Sequence, residues 1–214
     1  MRIILDAGHG GVDPGAISKD GKKREKDYTL EYEEFLSTYL SNSGFKVIKT
    51  RITDTNTPFH ARTSIAHPED LFISIHFDED SYYGGGSSIY YANYYKTAEQ
   101  RMADSKRLAD DEQIYLLTNR VTGSTTSRFQ RLYIDDNACP AILIEVTSID
   151  KADNSEKAMS EFSQKVLSGI NKYRGLAFNR VFIVNKDNTM IEVEIERMSI
   201  VGDKLYIAPK NKLC

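Results

Sequence analysis

Leu71-Phe72-Ile73-Ser74-Ile75-His76 is an apolar run closed by a histidine, and its density of β-branched and aromatic residues reads as a strand buried on both faces. Strands of that kind belong to parallel sheets covered by helices. Two more runs share the character. Ile3-Ile4-Leu5 leads through Asp6 and Ala7 into Gly8-His9-Gly10-Gly11, and Ala141-Ile142-Leu143-Ile144-Glu145-Val146 lies far downstream. Between them, Tyr28, Tyr32, Phe35, Leu36, Tyr39 and Leu40 recur at helical spacing, with Asp27 as the expected N-cap and Gly44 as the stop. Thr57-Pro58 opens a second expected helix through Ala66. A charged helix is expected over 97–119. Asp153-x-x-Glu156 resembles a capping box, ahead of a helix whose buried face is Met159, Phe162, Val166 and Ile170. Further strands are expected over 45–50, 88–91 and 129–134. The predicted fold is α/β: an open, twisted, mostly parallel sheet with helices on both faces.

The pattern changes near residue 176. Val181–Val184, the strictly alternating Ile191-Glu192-Val193-Glu194-Ile195-Glu196, and Leu205-Tyr206-Ile207 read as strands, with Gly202-Asp203 as a hairpin turn. Residues 1–175 are expected to form the main domain and 176–214 a small β-rich appendage. About forty residues is marginal for independent folding, so the appendage is expected to pack on the main domain or to pair two chains as a homodimer.

Lys plus Arg total 28 against 31 Asp plus Glu. A balance this close to neutral gives no reason to expect nucleic acid or an anionic membrane as partner. The apolar run Ile3-Ile4-Leu5 ahead of Asp6 is three residues long, too short for a secretory signal or a membrane span. The expectation is therefore a chain made in the cytosol and not inserted in a membrane, which would need release to act outside the cell. Cys139 and Cys214 are too far apart for a Cys-x-x-Cys site, so any metal falls to histidine and carboxylate. Cys139 is read as an apolar filler and Cys214 as free.

Four histidines, His9, His60, His67 and His76, keep that search short. His9 follows the first strand, His76 closes the Leu71–Ile75 run, and Glu145 lies near the end of the Ala141–Ile144 run. Ligands gather outside the carboxyl ends of the strands in open α/β sheets, so parallel neighbours would bring these three to one crevice. Glu25, just ahead of the first helix, is a fourth candidate, although Lys22, Lys23, Arg24 and Lys26 also fit a solvated charge cluster. A histidine after a glycine turn can equally cap a strand, and Glu145 can be a salt-bridged core carboxylate. Two imidazoles and a carboxylate around an open position are a recurring ligand set for catalytic zinc, with a further carboxylate free for proton transfer. His60 and His67 read as surface residues of the second helix. Tyr82, Tyr83, Tyr90, Tyr91, Tyr94 and Tyr95 read as packing residues, though stacking on sugar rings is within their chemistry.

The run Ile3–Gly11 resembles the opening of the zinc-dependent N-acetylmuramoyl-L-alanine amidases of the third amidase family, which act on bacterial peptidoglycan. The resemblance continues at Arg24-Glu25-Lys26-Asp27, Thr50-Arg51, Phe72–His76 and Pro140–Val146, in the family's order, to about residue 174. It implies that His9, Glu25 and His76 hold Zn2+ and that Glu145 is the catalytic carboxylate. The implied reaction is hydrolysis of the amide between N-acetylmuramic acid and L-alanine, in cell-wall lysis or remodelling, and together with the expected cytosolic synthesis it implies action on the wall after release, as by a phage lysin. The chain departs from the family at Phe77-Asp78, at Ala66-His67 and over Val146–Asp150, expected at the floor and rim of the cleft, where they bear on peptide preference. The alternatives are a zinc carboxypeptidase or deacetylase on a related scaffold, and a non-catalytic wall-binding protein.

Overall fold

The computed structural model describes residues 1–79, 87–94, 99–116, 118, 120–124 and 132–174, and the backbone of 180–184, 190–201 and 204–209. Six strands form one open sheet in the order β2-β1-β3-β6-β4-β5. β1 (Arg2–Ala7), β2 (Lys46–Lys49), β3 (Leu71–Asp78) and β6 (Ala141–Ser148) run parallel. β4 (Ser88–Tyr91) is antiparallel to β6 and parallel to β5 (Arg120–Gly123). The expected mostly parallel sheet is present, and the three runs that suggested it are its consecutive central strands.

The alternation along those strands sorts the helices. Phe77 is buried against the rings of Tyr28 and Tyr32, 5.7 and 5.1 Å away, on α1 (Glu25–Asn42). Tyr32 also meets Phe162 of α4 (Glu156–Tyr173), and Gly169 of α4 approaches Glu112 of α3 (Glu99–Leu116). The opposite face carries Ile4, Phe72, Ala141 and Leu143, packed with Ile134 and the free, buried Cys139. It is covered by α2 (Phe59–Thr63) and a 3-10 turn at Tyr133–Asp136. Among the described residues no helix is long and apolar enough to cross a membrane.

Several boundaries differ from expectation. α1 starts at Glu25, not after an Asp27 cap, because backbone carbonyls of the preceding loop take its first amides: Glu25 N–H donates to Ala16 O at 2.9 Å and Lys26 N–H to Pro14 O at 3.1 Å. α2 ends at Thr63 rather than near Ala66. Just beyond, the Asp70 carboxylate accepts the His67 N–H and the Arg2 guanidinium and turns the chain into β3. The cap of α4 is Ser155, whose Oγ accepts the Ala158 N–H at 3.2 Å, while Asp153 accepts the Ser155 N–H. Tyr133–Asp136 is a 3-10 turn where a strand was expected; residues 129–131 lie outside the described residues. The stop at Gly44 is left-handed, with φ 88°.

The chain divides into two compact units, Met1–Gly169 and Ile170–Cys214, a boundary that falls inside α4. The second unit contains an antiparallel sheet of β7 (Arg180–Val184), β8 (Met190–Val201) and β9 (Lys204–Pro209). Its register sets Val181 opposite Val193 and Ile183 opposite Ile191. The Gly202-Asp203 turn and Cys214 lie outside the described residues.

Candidate metal and catalytic site

β1 ends in a turn that two arginines hold in place. Arg62, buried, donates from Nη1 to Asp6 Oδ1 at 2.8 Å and from Nη2 to the His9 carbonyl at 2.6 Å. Arg51 donates from Nη2 to the carbonyls of Gly8 and Lys26, tying the turn to the start of α1. His9 sits in the left-handed region at φ 59°, uncommon for a residue with a side chain. A Cβ on Gly8 would lie 2.4–2.7 Å from three atoms of the His76 ring, so the imidazole of β3 rests directly on that glycine.

Glu25 enters from the first turn of α1. Each carboxylate oxygen meets one backbone amide and one imidazole. Oε1 accepts the Phe77 N–H at 3.0 Å and lies 2.8 Å from His76 Nδ1. Oε2 accepts the Ala16 N–H at 2.8 Å and lies 3.0 Å from His9 Nε2. The loop supplying Ala16 is anchored by Asp150, which accepts the Lys19 N–H, and by Lys23 Nζ, which donates to the carbonyls of Asp150 and Ala152. Asp150 therefore acts on loop position, and Phe77 faces α1; neither forms the floor expected of these departures.

This arrangement suits a cation. The far nitrogen of His9, Nδ1, lies 2.9 Å from Asp13 Oδ2; with the neutral ring's proton on Nδ1, that carboxylate accepts it and the Nε2 lone pair faces Glu25. Ligand atoms of His9, Glu25 and His76 all lie within 4.8 Å of one another. Converging lone pairs repel unless a proton or a metal ion lies among them. Burial opposes charge on His9, but the hydrogen bonds to Glu25 and Asp13 prevail and raise its pKa above the ordinary 6.5. Burial likewise disfavours ionised Glu25, yet the two imidazoles hold its pKa well below the carboxylate range. The set draws in positive charge and matches the residue types of a catalytic zinc site.

Glu145 stands beside this cluster. It is the register partner of His76 on the neighbouring parallel strand, so both side chains project from the same face of the sheet. Among the described residues its buried Oε2 has no hydrogen-bond partner. Burial, then the negative charges of Glu25 and Asp78, push its pKa well above the usual range. All four residues singled out in the sequence thus converge at the carboxyl ends of β1, β3 and β6. His60 is exposed and so is His67, which pairs with Glu69; neither belongs to the cluster. Tyr90 is buried and donated to by Arg120, whereas Tyr82, Tyr83 and Tyr95 lie outside the described residues.

Reading the sequence missed Asp13, Arg62 and Tyr133. Tyr133 OH lies 3.2 Å from His76 Nε2, 2.7 Å from Ser74 Oγ and within hydrogen-bond reach of Asp6 Oδ2. Burial and the neighbouring Asp6 carboxylate raise the phenol's pKa well above its usual value. An aspartate inside an apolar strand, as Asp6 is, was the available signal, since a buried carboxylate requires partners.

Comparison with known proteins agrees with this geometry. The chain is 28% identical over 203 residues to the N-acetylmuramoyl-L-alanine amidase AmiA of Escherichia coli, covering 94% of this chain and 66% of the relative. It is 33% identical over 178 residues to the probable cell wall amidase LytH of Staphylococcus epidermidis, covering 80% and 57%. The chain thus spans less than two thirds of the length of these relatives. The CwlD amidase from Clostridioides difficile, solved in complex with the GerS lipoprotein, superposes with a TM-score of 0.67 at 26% identity, covering 82% of this chain and 98% of that one. The profile of one family, described as N-acetylmuramoyl-L-alanine amidase, matches residues 3–173, a span that contains every residue of the cluster. With its sheet, its converging side chains and that match taken together, the chain belongs to the N-acetylmuramoyl-L-alanine amidase family.

Proposed function

We propose that this chain hydrolyses the amide between N-acetylmuramic acid and L-alanine in bacterial peptidoglycan, with Zn2+ held by His9, Glu25 and His76. The carrying observation is the convergence of two imidazole nitrogens and a carboxylate within 4.8 Å, one strand away from a buried carboxyl oxygen that has no hydrogen-bond partner among the described residues. Zinc in such a site acts as a Lewis acid that polarises a carbonyl and acidifies water. Backbone amides of Ala16 and Phe77 orient Glu25, and Asp13 orients His9. Glu145 takes the proton from the attacking water and returns it to the leaving nitrogen, the work of a single carboxyl acting first as base and then as acid. Its burial favours the protonated form, the one needed for the second transfer.

The test pairs metal content with products. Purified protein should carry about one zinc per chain, and digestion of isolated walls should liberate alanine amino groups without new reducing ends. Reducing ends in place of amino groups would refute the amide reading. Release of acetate or of a terminal amino acid would assign the site to a deacetylase or carboxypeptidase.

A further inference from the structure

His76 touches two acidic systems through its two nitrogens. Nδ1 faces Glu25 Oε1 at 2.8 Å, whereas Nε2 faces Tyr133 OH at 3.2 Å. Tyr133 in turn reaches Asp6 Oδ2 and Ser74 Oγ. Asp6 is buried and ion-paired with Arg62, and it also accepts from Thr50 and Ser74. Arg62 and these hydrogen bonds outweigh the cost of burial and hold its pKa below the ordinary value, so Asp6 has acceptors only. A hydroxyl carries one proton. If Tyr133 gives its proton to Asp6, its oxygen can only accept from His76. If it gave the proton to Ser74 or to His76, its oxygen would face the Asp6 Oδ2 carboxylate with no hydrogen between them, which is repulsive. Donation to Asp6 is therefore the favoured arrangement, and it leaves the Tyr133 oxygen as an acceptor for His76. Parallel stacking on Phe59, with ring centroids 4.7 Å apart, keeps the phenol in place.

We infer that Tyr133 is a positioning residue: backed by Asp6 and Ser74, it accepts the Nε2 proton of His76, fixing the ring and its tautomer so that the Nδ1 lone pair points into the cluster with Glu25. This inference rests on the metal-binding reading above. Nothing in the ligand trio itself requires it, because His76 could in principle present either nitrogen. Outer partners that orient a ligating imidazole commonly contribute 10- to 100-fold in metal affinity.

The experiment measures zinc affinity by competition with a chromophoric chelator for the unsubstituted protein, Tyr133→Phe and Ser74→Ala, with thermal melts of each metal-free form. Tyr133→Phe keeps the ring and its stacking, and should bind zinc roughly 10- to 100-fold more weakly. Ser74→Ala, which leaves the phenol opposite His76, should lose less. An unsubstituted protein that binds no zinc refutes the metal reading and this inference with it. Zinc binding that is equally tight in the unsubstituted protein and Tyr133→Phe refutes this inference alone. Should Tyr133→Phe not fold, 15N spectra of the zinc-loaded unsubstituted protein decide: a proton on His76 Nε2 and metal at Nδ1 support the assignment, and the reverse overturns it.

Discussion

Glu145 on β6 and His76 on β3 are register partners across a parallel strand pair. Adjacent strands lie about 4.8 Å apart, so the pairing alone delivers a carboxyl to the side of the imidazole. A shift of one residue would turn Glu145 to the opposite face of the sheet. The β-bulge that follows, between His76 and Asp78, leaves this pair intact and breaks the ladder only past the site.

Glu145→Gln should retain zinc and lose turnover. The amide replaces the carboxyl's proton chemistry at almost unchanged volume, so zinc stoichiometry should match the unsubstituted protein while the rate falls by about 10²–10⁴. Metal analysis with wall digestion checks both halves. Full activity would exclude Glu145 as the proton carrier.

Zinc affinity should fall as pH falls. Imidazole binds metal only when neutral, and burial is outweighed at His9 by Glu25 and Asp13, which raise its pKa above 6.5. Protons therefore compete as soon as the pH drops below that raised value. Each proton displaced costs roughly tenfold in affinity per pH unit. Chelator competition at a series of pH values from mildly alkaline to mildly acidic measures the slope; an affinity independent of pH would contradict imidazole ligation.

Gly15→Ala should disable the site. Gly15 has φ +63°, and a Cβ there would fall 2.5 Å from Glu25 Oε2 and 2.6 Å from His9 Cδ2. The left-handed backbone costs an added side chain about 1–3 kcal/mol, and the contact displaces two ligands together. Weakened zinc binding combined with a lowered melting temperature is the expected result. Gly21→Ala provides the comparison: its φ is +72° but no atom of the described residues lies within 4 Å of an added Cβ, so it should destabilise while sparing metal binding.

Glu33→Gln should stabilise the protein at alkaline pH and do little in acid. Burial raises the Glu33 pKa from 4.5 to about 8, with Lys49 only partly offsetting it. In the unfolded chain the group ionises near its ordinary pKa. Stability is thus fully present below about 4.5 and is lost progressively as pH rises toward 8. Glutamine removes the loss. A gain of ~2 kcal/mol at pH 8.5, seen as a rise of roughly 4–8 °C in melting temperature, should shrink toward zero at pH 4.5.

The parts of this fold legible in the sequence are those governed by local pattern. Continuous apolar runs identified β1, β3 and β6, and strands of that type place their carboxyl ends together, which located His9, His76 and Glu145; Glu25, in a charged stretch ahead of α1, was singled out by the family resemblance rather than by that pattern. Helix starts were less legible, because carbonyls or side chains from outside the assumed cap did the capping: Ala16 and Pro14 for α1, Ser155 for α4. Phe77 appeared to lie in the cleft because it follows a ligand, yet alternation along β3 turns it toward Tyr32. Tyr133 was illegible for a different reason. Its partner Asp6 is 127 residues away, and no local spacing encodes a hydrogen bond across that distance.

β1, β3 and β6 lie inside the sheet, between β2 on one side and β4 with β5 on the other. Fraying begins at sheet edges and reaches interior strands last. The amides of Ile4, Ile73 and Leu143 should therefore exchange with deuterium only through global opening, and wear at β2 or β5 should leave the chemistry assembled. A site built this way keeps its side chains together in partly opened forms, and loses them in one step when the whole domain gives way.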